Sequence, residues 1–324
     1  PLKPVEGGVT MAKIMTVTGP IEASELGNTL MHEHIYVDLT RDVMNRNQLL
    51  NDPELAYQEL KLYKDAGGHS LVDVTTGGLK GNDHDLLPVP HPIAIRQIAE
   101  KTGLNIILGA GWYRETYYDR RLYRMKTDEI AEELIRDITK GFDGTDVKAG
   151  IIGEIGAHFT WISPWEERIF RAVARAQKKT GLTVTTHALD WPVGLDQMDL
   201  LQEEGVDPRR IIVGHCQSWP YYDYHAEIAR RGGFVQFDRL GTSPPYEHGV
   251  TMQCIKQLID DGLTKHLLFS QDVCHRTDYT RYNGCGYAFV LTKLREELQS
   301  LGFSDEVFHQ ITVENPRRAL SGED

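Results

Sequence analysis

The sequence predicts an α/β fold, a (β/α)8 TIM barrel with its active site at the C-terminal ends of the strands. Three observations predict it. Eight short apolar, β-branched runs recur at intervals of roughly 25–45 residues, a βα rhythm and not a hairpin rhythm. Amphipathic stretches lie between them, most closed by glycine as helix C-caps are. Polar, metal-competent side chains fall where the apolar runs end, which is where such a barrel carries its chemistry.

The eight runs cover residues 29–34, 69–76, 105–113, 149–156, 182–189, 210–217, 234–240 and 266–273. The intervening helical patterns include 54–66, 128–140, 164–180, 194–204 and 225–231, and Gly67-Gly68, Gly103-Leu104, Gly181-Leu182 and Gly232-Gly233 mark stops. Eight βα units fill the 324 residues. A doubly wound open sheet, the main rival, has no reason to stop at eight. Residues 1–14 read as an N-terminal extension and 15–324 as a single (β/α)8 domain. Segments 79–92, 238–250 and 273–287 read as loops, the last two lining the substrate pocket after strands seven and eight.

The first run ends in His32-Glu33-His34. Side chains two apart on a strand share a face, so the two imidazoles aim at one point and suit a metal ion. With 13 His in the chain one pair is weak evidence. Its weight comes from the other strand ends: Glu154 in Ile152-Gly153-Glu154, His187 after Thr185-Thr186, His215 after Val213-Gly214, and Asp272 after Ser270-Gln271. Singly, His187 and His215 read as core histidines and Asp272 as a helix cap. An unpaired carboxylate in an apolar strand is costly, so Glu154 demands a partner. Four His and two carboxylates at one mouth exceed what one tetrahedral ion needs; they fit a two-metal site bridged by a carboxylate.

Thr16-Val17-Thr18-Gly19-Pro20-Ile21 followed by Leu26-Gly27-Asn28-Thr29-Leu30-Met31-His32-Glu33-His34 resembles the opening signature of the phosphotriesterase-like family, amidohydrolase-superfamily barrels with binuclear metal centres. The likeness continues through Gly109-Ala110-Gly111-Trp112-Tyr113, Thr186-His187, Gly214-His215, Phe237-Asp238-Arg239, Ser270-Gln271-Asp272 and Glu314-Asn315-Pro316. It implies that His32, His34 and Asp272 hold a buried metal and His187 and His215 a more exposed one. Many members bridge the ions with a carboxylated lysine in the fourth strand. This chain departs from them and resembles the subset that uses glutamate, which gives the bridge to Glu154. Lys148 precedes that strand and falls at the wrong end of the barrel. Two divalent ions per chain are expected, Zn2+ first, with Mn2+ or Co2+ able to replace it because imidazole and carboxylate ligands suit all three.

The expected activity is hydrolysis of a lactone or related carboxylic ester by a metal-bridging hydroxide, with Asp272 taking the proton. Tyr113 and Arg239 occupy places where lactone-hydrolysing relatives resemble this chain, and Arg276 is a further candidate substrate contact. Phosphotriester hydrolysis is the runner-up. An inactive barrel kept as a binding protein is the alternative of another class, opposed by the presence of all six metal-centre residues.

Composition narrows the partners. A net charge of −12 disfavours nucleic acid and anionic membranes. The basic run 120–126 reads as a solvated face. No run of 18 apolar residues predicts a membrane helix, and the start lacks a secretory pattern, so a cytoplasmic location is expected. Four cysteines without a C-x-x-C pair indicate neither a disulfide framework nor a thiolate zinc site. Cys216 and Cys274 read as small buried thiols beside the site. The expected partner is a small-molecule ester or lactone, and a homodimer is the assembly considered.

Overall fold

The structure, a computed structural model, describes residues 13–80, 87–142, 144–158 and 160–323. Residues 1–12 of the expected extension, and 81–86 of the expected 79–92 loop, lie outside the described residues. Eight parallel strands follow one another round a single sheet in sequence order. They are β1 (Thr29–Glu33), β2 (Ser70–Asp73), β3 (Asn105–Ala110), β4 (Ile151–Gly156), β5 (Val184–His187), β6 (Ile211–Gly214), β7 (Phe234–Phe237) and β8 (Leu267–Phe269). A helix follows each: α1 (Pro53–Asp65), α2 (His91–Thr102), α3 (Thr127–Thr139), α4 (Pro164–Thr180), α5 (Val193–Glu203), α6 (Tyr222–Arg230), α7 (Pro245–Asp260) and, after a π-helical stretch Val290–Leu294, α8 (Arg295–Ser300). The predicted barrel is the observed one.

Two helices correct the sequence reading. Prolines in 79–92 and 238–250 suggested loops, yet α2 and α7 begin at His91 and Pro245 with proline at their first positions. The missing N–H costs nothing there, because the first helical turn has no acceptor for it.

Alternation along the strands sorts the core into two layers. Ile106 and Leu108, Ile211 and Val213, Leu267 and Phe269 turn outward into the helix-facing cluster. The residues between them, Ile107, Ile212 and Leu268, join Met31, Val72 and Ile151 inside the barrel. Ile14 from the hairpin Lys13–Thr16/Gly19–Glu22 and Leu320 from the helix Asn315–Ser321 pack onto this inner cluster. One end of the barrel is thus filled by apolar side chains, and polar groups occupy the other.

Alternation fails at two places. Leu30 pairs with Leu71 but Glu33 with Asp73, so β1 carries an extra residue there. The β4–β5 register slips in the same way between Ile152 and Ile155. These bulges let Met31 sit in the inner cluster while His32 and His34 also turn inward, and they free Glu154 in β4. A Cβ on Gly109 would lie 1.9 Å from the Gly153 carbonyl oxygen, so glycine is required beside the second bulge.

The seam between β8 and β1 is closed by a side chain. Glu33 Oε1 accepts from Ser270 Oγ (2.7 Å) and the Gln271 N–H (2.8 Å), and Oε2 accepts from the Val273 N–H (2.8 Å). Ser270 Oγ in turn accepts from the His32 N–H at 3.0 Å. Burial pushes the Glu33 carboxyl up to about 8 against these hydrogen bonds, and the charge of Asp272 adds to the rise. Glu33→Ala leaves three buried donors unmet at about 1–3 kcal/mol each. In metal-stripped protein it should therefore lower the melting temperature by roughly 5–10 °C. An unchanged melting curve would remove Glu33 from this role.

Among the described residues, no helix is long and apolar enough to cross a membrane.

Candidate metal centre

The six residues singled out at the strand ends are all buried and meet above the inner apolar layer. Glu154 stands at their centre. Its Oε1 lies 3.4 Å from His34 Nε2, and its Oε2 lies 3.5 Å from His32 Nε2, 2.9 Å from His187 Nδ1 and 3.6 Å from His215 Nε2. Asp272 Oδ1 lies 3.5 Å from His34 Nε2 and 3.8 Å from His32 Nε2. Three overlapping groups result, His32–His34–Glu154, Glu154–His187–His215 and His32–His215–Asp238, each with donor atoms within 4.8 Å of one another. The first two share only Glu154. Two strand-end residues reach this cluster from unusual backbone: His215 (φ +56°) and Asp272 (φ +50°) are left-handed, a conformation non-glycine residues adopt at a cost.

Neither ring nitrogen of His32 makes a hydrogen bond, although the residue is wholly buried. Leaving a buried imidazole unmet is unfavourable, and a cation at Nε2 would satisfy it. The chemistry of the donor set agrees: neutral imidazoles and carboxylates are the ligands of borderline divalent ions. The residues present fit a metal centre.

Electrostatics point the same way. Burial would raise Glu154, but the charge of His32 and hydrogen bonds from His187 and His215 hold it well below the usual carboxylate range. It is an anion able to serve two cations. Burial and the neighbouring His215 lower His187 to about 3, which leaves a neutral ring. Burial alone would lower His34, yet hydrogen bonding and charge from Glu154, helped by Asp272, raise it to about 9. Metal binding would displace that proton.

A supporting shell orients the ligands. Asp238, directly after β7, accepts from the His215 N–H (2.8 Å), pairs with His215 Nδ1 (2.7 Å), and lies 3.3 Å from His32 Nδ1. Gln217 Nε2 donates to it at 3.0 Å. Thr75 Oγ1 meets His34 Nδ1 at 2.8 Å. Such partners fix ring orientation and ligand basicity. The sequence reading quoted Asp238 without giving it a role. The available signal was its position, a carboxylate ending a strand like Asp272.

The remaining candidates divide. Tyr113 is buried with its hydroxyl 3.3 Å from His187 Nε2 and its ring edge-on to that imidazole. Arg239 places Nε 3.9 Å from Asp272 Oδ2, and that buried nitrogen has no hydrogen-bond partner. Arg276 instead donates through Nε to the Leu49 carbonyl (2.9 Å) and through Nη2 to Asn51 Oδ1 (3.2 Å), a staple between loops. Lys148 lines a separate cavity with Met15, Thr18 and Arg96, next to the hairpin at the filled end.

Fold and centre together define a class, barrels whose strand ends carry buried histidines and carboxylates for hydrolysis. The chain belongs to the phosphotriesterase family, whose model matches residues 12–320. A curated relative, the phosphotriesterase homology protein of Escherichia coli (strain K12), is 31% identical over 290 residues, covering 90% of this chain and 96% of the relative. N-acetyltaurine hydrolase of Danio rerio is 28% identical over 352 residues, covering 95% and 98%. The crystal structure of a lactonase from Listeria monocytogenes superimposes with a TM-score of 0.85 at 25% identity, covering 97% of this chain and 100% of that one. The chain is a hydrolase of this family.

Proposed function

We propose that the chain is a two-metal lactonase or carboxylic ester hydrolase, with His32, His34 and Asp272 holding one ion, His187 and His215 the other, and Glu154 bridging both. When bound, divalent ions such as Zn2+ would lower the pKa of a water and polarise the carbonyl under attack. Asp272, at the mouth, accepts the proton as the water oxygen bonds to the carbonyl carbon, and returns it to the departing alkoxide when the C–O bond breaks.

The observation that carries the carbonyl reading is Tyr113. Burial and the charge of Glu154 keep its phenol protonated, so beside His187 it remains a donor. A donor fixed there can hydrogen-bond a lactone oxygen as charge develops on it. The unmet Nε of Arg239 offers a second donor on the Asp272 side. The proposal keeps the single domain, the cytoplasmic setting and the small-molecule partner expected from the sequence.

Metal-loaded protein should be assayed against acyl-homoserine lactones, γ- and δ-lactones, sugar lactones with and without phosphate, aryl esters, N-acetyltaurine and paraoxon. A lactone or ester should show the highest kcat/KM. Paraoxon at the top would favour the phosphotriester reading instead, N-acetyltaurine would move the proposal to amides, and inactivity against all would favour a binding protein.

A further inference from the structure

A second group of ligand-type side chains follows the first in the β8–α8 loop. Beyond Asp272 the chain runs Val273-Cys274-His275, and a 3-10 turn from Arg276 to Asp278 brings Asp278 back to them. His275 Nδ1 lies 3.2 Å from Cys274 Sγ and 3.3 Å from Asp278 Oδ2, and one donor atom from each of the three lies within 4.8 Å of the others. The N–H groups of Cys274 (3.1 Å) and His275 (2.8 Å) donate to Asp278 Oδ2 and fix the carboxylate in place.

The turn carries a capping box in which Asp278 accepts from the His275 N–H and the His275 side chain faces the Asp278 N–H. The Cys274 thiol takes no part in that box and still lies against the imidazole. The two separations from His275 Nδ1, 3.2 and 3.3 Å, also suit another geometry. With bond lengths of about 2.0–2.3 Å to N, O and S, the edges of a tetrahedron around zinc come to about 3.3–3.7 Å. Cys274 is buried, whereas the side chains of His275 and Asp278 are 25% and 15% exposed, so an ion can enter from solvent.

We propose that Cys274, His275 and Asp278 form a third divalent-metal site, distinct from the histidine centre, with water completing a tetrahedron. Binding releases the thiol proton to solvent and forms a metal–sulfur bond, and the soft thiolate selects zinc or cobalt over manganese or magnesium. The ion ties down the loop that carries Asp272.

Cobalt tests this directly, because a Co2+–thiolate bond gives a near-ultraviolet charge-transfer absorption that imidazole and carboxylate ligands do not. Holoprotein titrated with CoCl2 should develop that absorption, saturating at one equivalent per chain. Cys274→Ser should abolish it. His275→Gln, a partly exposed change that keeps the thiol, should weaken cobalt binding at least tenfold. Absence of the absorption in wild-type protein overturns the site, as does its persistence at full strength in both variants. Neither result bears on the histidine centre, which contains no sulfur.

Discussion

Glu154→Gln is expected to reduce kcat/KM about a thousandfold, equivalent to about 4 kcal/mol of transition-state stabilisation. The substitution keeps the shape of the side chain and removes its charge. Glu154 is the only residue common to the His32–His34–Glu154 and Glu154–His187–His215 groups, and four imidazole nitrogens lie within 2.9–3.6 Å of its oxygens. Without the carboxylate those rings lose the one anion that all four share, and the cations they would hold lose its screening. The paired control is Lys148→Ala, which should leave activity within about twofold because that residue belongs to the opposite end of the barrel. Added bicarbonate should not change reconstitution, since a glutamate bridge needs no carbon dioxide. A lysine variant that loses activity beside an active Glu154→Gln would reverse the assignment.

Asp272→Asn is expected to lower kcat by about 10²–10⁴ while KM moves only a few-fold. The amide oxygen still offers a ligand atom, but the group cannot accept a proton. Asp272 lies within 3.8 Å of His32 and His34 and within 3.9 Å of Arg239, between the metal residues and the candidate substrate contact. Metal content must be measured in the same sample. A fully metallated variant with nearly normal kcat would assign the proton to another group.

The barrel was legible because strand signals are local. Apolar β-branched runs such as Ile106-Ile107-Leu108 and Ile151-Ile152 name their own strands. The six candidate metal residues stand out in the sequence because each lies at or near the end of such a run. What the sequence hid depends on distant partners. Glu33 reads as a spacer between two histidines, but its hydrogen-bond partners lie 237–240 residues away across the seam. Asp238 supports a histidine 23 positions earlier. The two bulges are mismatches between neighbouring strands, invisible in either strand alone. They amend the simple alternation argument for His32 and His34, which share a face on a strand that has slipped. Arg276 is a substrate candidate from its loop position alone, and its contacts to Leu49 and Asn51, 225–227 residues away, are not visible in the sequence.

The central claim is that two ligand groups joined by Glu154 hold two ions, and counting those ions tests it most directly. The Cys274→Ser variant should be reconstituted with zinc, passed through gel filtration in metal-free buffer, and analysed for metal and activity together, so that the loop cluster cannot contribute. Two zinc ions per chain in the active fraction are predicted, falling to one or none in the additional presence of Glu154→Gln. Full activity with a single ion, or with none, would contradict the account.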